Sequence, residues 1–227
     1  MSTIVDSMRF PRGATHLVVG PSACGKTTRV ANIIRHKNEM IEKGEECRNV
    51  VVCYSAWQPE YDQLKKEGVV NKWVNKMPTN EEFVQLVKKF RNGSIVVIDD
   101  FMGSINKDLD EIVRVSSRHY NVSTFILFQS LFPAHKLARQ ISLNVKFIHL
   151  HKNPRENAQV MFLARQLNPQ SYKWIVQVYH RVTEKPYSAL LFDLTQEQEP
   201  YLRFRSHYMP NELPMRVWME KGEMLAI

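Results

Sequence analysis

Apolar residues in this chain fall into short dense runs, separated by longer stretches in which they recur every three or four positions. Leu17–Val19, Val50–Tyr54, Ser94–Asp100, Val122–Phe128 and Val145–Leu150 carry the dense runs. Runs this short and this apolar predict strands buried on both faces, as in parallel sheets. The stretches between them have helical spacing. The first runs from Thr28 to about Lys43, with Val30, Ile33, Ile34 and Met40/Ile41 on one face and Gly44 as its stop. Further helices are predicted at Tyr61–Glu67, at Glu81–Phe90 with Asn80 as N-cap, and at Ile105–Tyr120 with Leu109, Ile112, Val113 and Val115 inward. Others follow at Ala134–Ile141, Arg155–Leu167 and Gln170–Val182. Tyr187–Leu194 and Tyr201–Phe204 read as two late strands. Residues 1–14 read as a lead-in, 15–205 as one domain, and 206–227 as a tail with an amphipathic piece around Met215–Met219. Strands alternating with helices predict an α/β fold with a mainly parallel central sheet and helices on both faces.

Composition narrows the class. With 227 residues, 44% hydrophobic and 24% charged, the chain can bury a full core. No apolar run reaches the length of a membrane span, and the N-terminus lacks a basic-then-apolar leader pattern. The three cysteines, Cys24, Cys47 and Cys53, are odd in number and lack C-x-x-C spacing, which argues against a disulfide framework or a zinc site. An intracellular, reducing location is expected. A formal charge of +8 favours a polyanionic partner.

The candidate chemistry begins where the first strand ends. Gly20-Pro21-Ser22-Ala23-Cys24-Gly25-Lys26-Thr27 matches G-x-x-x-x-G-K-[ST], with an apolar strand before it and a helix after it. Glycines let backbone N–H groups turn inward around phosphate oxygens, and the helix N-terminus adds donors and partial positive charge. Lys26 is expected to reach the β- and γ-phosphates and Thr27 to sit on Mg²⁺, with Thr28 completing the nucleotide-binding set. Asp99 and Asp100 close another buried run, at the strand edge where α/β sheets bind ligands. Asp99 is expected to complete the Mg²⁺ shell opposite Thr27, and Asp100 to orient the attacking water. The following strand ends in Gln129, whose amide both donates and accepts and suits a relay from the γ-phosphate to the acids.

Three of these segments, G-P-S-A-C-G-K-T, S-I-V-V-I-D-D-F-M and N-V-S-T-F-I-L-F-Q-S-L-F-P, resemble the FtsK–HerA superfamily. They are more specifically similar to genome-packaging ATPases of poxvirus-like and Maverick/Polinton-type viruses, as are residues 138–144, 151–156, 162–169 and 185–194. The resemblance covers about His16 to Leu194. It implies a three-layer P-loop NTPase fold of the RecA/ASCE type and ATP hydrolysis with Mg²⁺. It also implies a homo-oligomeric ring, usually hexameric, pulling double-stranded DNA into a capsid, with a capsid or portal partner and a place at the packaging vertex in an infected cell. Such rings take an arginine from a neighbouring subunit; Arg118 occupies the matching position, with Arg155 and Arg165 as rivals. The acidic pair is Asp-Asp where many members of the wider superfamily carry Asp-Glu.

Two other functions use the same loop: a nucleoside-kinase-like phosphotransferase, and a nucleotide-gated interaction module without turnover. For DNA contact the candidates are the loops Ala56–Tyr61 and Met102–Lys107, with Lys107 foremost. Lys65/Lys66, Lys88/Lys89 and Arg203/Arg205 read as solvated faces. Trp57, Trp73, Trp174 and Trp218 form no recognisable stacking platform.

Overall fold

The computed structural model describes residues 8–42, 49–89, 93–101, 103, 105–133, 136–212, 214–220 and 224–226. Its strands are β1 Thr15–Val19, β2 Asn49–Tyr54, β3 Lys72–Val74, β4 Ser94–Asp99, β5 Val122–Phe128, β6 Phe147–His151, β7 Ala189–Asp193, β8 Phe204–Ser206, β9 Arg216–Trp218 and β10 Met224–Ala226. They form a single sheet in the order β10-β9-β8-β7-β6-β1-β5-β4-β2-β3. From β6 to β3 all pairings are parallel, and from β6 to β10 all are antiparallel. The helices are α1 Lys26–Arg35, α2 Lys37–Met40, α3 Pro59–Lys66, α4 Asn80–Lys88, α5 Lys107–Glu111, α6 Ser117–His119, α7 Lys136–Asn144, α8 Asn157–Leu167 and α9 Tyr172–Val182.

Strand residues alternate between two cores, as a period of two requires. Val18, Val50, Val52, Val97 and Phe125 pack with Val30, Ile33 and Ile34 of α1 and Tyr61 and Leu64 of α3. Leu17, Val51, Val96, Ile98 and Ile126 face the other way, against Phe83, Leu109, Ile141, Leu163 and Ile175. The result is the three-layer α/β fold the pattern predicts. In it β5 lies between β1 and β4, bringing the ends of all three to one edge.

Several boundaries differ from the sequence expectation, each for a local reason. The first helix ends at Arg35, because the His36 ring bonds the Asn32 carbonyl at 2.9 Å and the His36 backbone leaves helical geometry. The chain then turns back to the lead-in: Phe10 N–H donates to Met40 O at 2.7 Å and Glu42 N–H to Phe10 O at 3.0 Å. Lys43, Gly44 and Cys47 lie outside the described residues. Thr79, not Asn80, caps α4, in a reciprocal capping box with Glu82; Phe90 lies outside the described residues. Between α5 and α6 the turn Ile112–Ser116 is π-helical. That wider turn rotates Val115 outward to 52% exposure, although Leu109, Ile112 and Val113 are buried as expected. Of the predicted helix at 134–141, residues 134 and 135 lie outside the described residues, and α7 runs on to Asn144.

The segment read as a tail supplies β9, β10 and the buried Tyr208, Met209, Val217 and Trp218. Its β9 covers the edge that β8 would otherwise leave unpaired. Arg205 is likewise no solvated cation: at 1% exposure it ion-pairs with Asp193 and donates to Met8 O at 2.8 Å. Arg203 bonds the Asp193 and Gln198 carbonyls.

Candidate active site

β1 delivers the loop 20–25 to the C-terminal edge of the sheet, and Gly20 N–H donates to Phe128 O on β5 at 3.2 Å, fixing the loop to the neighbouring strand. Gly20 is required by close approach: a Cβ there would lie 2.5 Å from Cys24 Sγ and 2.8 Å from His151 Cβ. Gly25 is required by conformation, since it caps α1 at φ 98°, in the left-handed region. The Lys26 ammonium folds over the loop onto Gly20 O at 2.6 Å and Pro21 O at 2.8 Å. Burial raises the Cys24 thiol, and its sulfur occupies the space that a Cβ at Gly20 would need.

Opposite the loop, Thr27 Oγ1 donates to Asp99 Oδ2 at 3.4 Å, and the Tyr61 hydroxyl donates to the same oxygen. Burial pushes the Asp99 carboxyl above the ordinary carboxylate range; the Tyr61 donor opposes this, the Asp100 charge adds to it, and Lys26 and Thr27 oppose it. Tyr61 itself is held protonated by burial and by Asp99. Asp100 is exposed with φ 62°, a left-handed conformation that turns the chain sharply out of the strand. Gln129 Nε2 donates to Asp100 Oδ1 at 2.9 Å. The predicted set Lys26, Thr27, Asp99, Asp100 and Gln129 therefore converges from three adjacent strands. Hard oxygen donors at Thr27 and Asp99 fit Mg²⁺, the metal that a P-loop fold implies.

A cavity of about 500 Å³ opens beside the loop along the first turns of α1, with Gln58 and Glu60 on one flank and Tyr187 and Glu212 on the other. Thr28 Oγ1 donates to Glu60 Oε1 at 2.7 Å. Tyr61, Glu60, Tyr187, Arg29 and Glu212 were not assigned to this site from the sequence, which placed Glu60 and Tyr61 in a loop nominated for DNA contact. Tyr61 could have been found, as an aromatic on the segment leaving the strand beside the acids; the others carry no local signal.

Arg118 does not join this site within one chain. It stands exposed on α6, ahead of the N-terminal end of β5, whereas the loop lies at the C-terminal ends. Arg155 is exposed in the turn after β6, on the loop's side of the sheet. Arg165 is exposed on α8 and stacks over Tyr172 at 4.5 Å. Lys107 is exposed at the start of α5; Met102 and Ser104, in the same loop, lie outside the described residues. In the other nominated loop Trp57 is 39% exposed but Tyr61 is buried. Trp57 and Trp73 belong to an aromatic cluster with Tyr54 and Tyr61, ring centroids 4.9 Å apart for the two tryptophans.

No family model and no curated relative matches the chain. Among solved structures, a KaiC-like protein of the hyperthermophilic archaeon Pyrococcus horikoshii matches with a TM-score of 0.46 at 11% identity, over 96% of this chain and 91% of that one. At that identity and score the likeness bears on neither substrate nor partner. What the chain itself shows is a three-layer α/β fold that carries a G-x-x-x-x-G-K-T loop and an acidic strand end at one edge of its sheet.

Proposed function

We propose that this protein is an ATP-hydrolysing motor that moves double-stranded DNA, working as a homo-oligomeric ring that packages a viral genome. The observation that carries hydrolysis is the placement of β5 between β1 and β4, with Gln129 bonded to Asp100 at 2.9 Å. A polar residue on the inserted strand, tied to the acid beyond Asp99, can report the γ-phosphate to the group that orients water. A phosphotransferase has no need of this relay. The translocase reading draws its support from the +8 charge, the exposed Lys107 on the segment that follows Asp100, and the motif resemblance.

The chain's residues divide the work. Backbone donors of 20–25 and the N-terminus of α1 cradle the phosphates. Lys26 exchanges its loop carbonyls for phosphate oxygens and neutralises charge that grows in the transition state. Thr27 and Asp99 would hold Mg²⁺, which supplies Lewis-acid charge at those oxygens. Asp100, steered by Gln129, accepts a hydrogen bond from the attacking water.

The test is ATPase rate against protein concentration, with and without double-stranded DNA. The motor reading expects a rate per subunit that rises with concentration and rises again with DNA. Lys26→Ala is expected to lower it on the order of 10²- to 10³-fold. A concentration-independent rate indifferent to DNA would sink the ring and its partner; an undiminished Lys26→Ala rate would sink the site.

A further inference from the structure

The cavity beside the loop reaches beyond what phosphates occupy, and its outer wall carries an arrangement that phosphate chemistry leaves unused. Tyr187 is a large aromatic residue at 69% exposure, held at φ 64° in the left-handed region. Its ring lies against the loop's last glycine: a Cβ at Gly25 would meet Tyr187 Cβ and Cδ1 at 3.4 Å. A non-glycine residue in that conformation is strained, and the strain persists only where the surroundings enforce it. Here the enforcement is visible. Arg29, on the second turn of α1 and 5% exposed, donates to Tyr187 O at 3.1 Å. Its other nitrogen pairs with Glu212 at 2.9 Å, and its guanidinium sits 5.1 Å over the Tyr208 ring.

Thus a buried, ion-paired arginine on the helix that follows the phosphate loop fixes the backbone of an exposed aromatic residue on a distant segment. Arg29 spends its donors on Glu212 and Tyr187 and has its charge balanced there, so it is not a phosphate ligand. The exposed ring gains little packing from its position. What it faces is the cavity wall next to Gly25. We propose that Tyr187 is the platform on which the base of the bound nucleotide stacks, held in place by Arg29 and Glu212. This rests on the nucleotide reading of the loop and names the residue that recognises the other end of that substrate. Stacking on one aromatic face is worth enough to read in a binding experiment, and needs only the π-face that every base has.

The test compares Mg²⁺-ATP with Mg²⁺-tripolyphosphate, which has the phosphates and no base, by calorimetry on the full chain. Tyr187→Ala is expected to weaken ATP about tenfold or more and to leave tripolyphosphate unchanged. Tyr187→Trp recovers most of the lost ATP affinity, and Lys26→Ala weakens both ligands. If Tyr187→Ala weakens neither ligand, or both alike, the platform is overturned while the phosphate site stands. If Lys26→Ala leaves both unchanged, the nucleotide reading is overturned and the platform falls with it.

Discussion

Two carboxylates are buried at strand ends on opposite sides of the sheet, Asp99 in the parallel half and Asp193 in the antiparallel half, at 4% and 3% exposure. Asp193 is closed on every side: Thr195 bonds Oδ1 through its amide and hydroxyl, and Gln198 and Arg205 take Oδ2. Asp99 receives two neutral hydroxyls, both on Oδ2, and among the described residues no lysine or arginine comes within ion-pair distance of it. A buried charge with a permanent cation is structure; one whose counter-charge must arrive with a ligand is a site.

The sharpest way to break that comparison is to remove each carboxylate in turn. Asp193→Ala strands the Arg205 guanidinium in the core and is expected to cost about 3–5 kcal/mol of unfolding free energy, measured by urea denaturation. Asp99→Ala, which strands no cation, is expected to leave the urea midpoint close to that of the parent chain and to abolish turnover.

The seam between the halves gives the next effect. His16 on β1 bonds His149 on β6 at 3.2 Å, and His149 bonds the Tyr208 hydroxyl at 2.8 Å. His151, at the end of β6, is fully buried against the loop. Burial holds His16 and His151 down to about 3 and His149 well below its ordinary value. All three fold neutral, so the unfolded chain binds more protons and stability falls as pH drops below the unfolded value near 6.5. Each histidine is expected to remove about 1 kcal/mol between pH 6.5 and 5.5. A urea midpoint that stays level across that interval would refute a neutral seam.

A smaller effect sharpens the role of Tyr61. Its hydroxyl opposes the burial that raises Asp99, so Tyr61→Phe leaves that carboxyl higher still. The acid limb of kcat/KM for ATP is then expected to move to higher pH. An unmoved limb with a changed Mg²⁺ requirement would assign Tyr61 to metal affinity instead.

The same contrast explains what could be read from the chain beforehand. Gly20 to Thr27, Asp99, Asp100 and Gln129 each sit within a few residues of a dense apolar run, so the pattern that marks the strand also marks its chemistry. Tyr187, Arg29 and Glu212 meet only through tertiary packing, and no local spacing connects them. β3 and β10 are three residues each, too short for any periodicity to register, and the strand expected at Tyr201–Phe204 begins only at Phe204 because a 3₁₀ turn occupies Pro200–Leu202. The helix boundary at Arg35 was invisible because His36 and the Phe10 bridge end it, against good helical spacing up to Ile41.

The Arg29–Glu212 pair joins residues 183 apart in sequence. At ordinary translation rates of roughly 5–20 residues per second, about 10–40 s separate the appearance of the two on the ribosome. A nascent chain therefore carries its G-x-x-x-x-G-K-T loop for that interval with one wall of the pocket missing. The Tyr187 backbone cannot be held by the Arg29–Glu212 pair until the segment after β8 has been made.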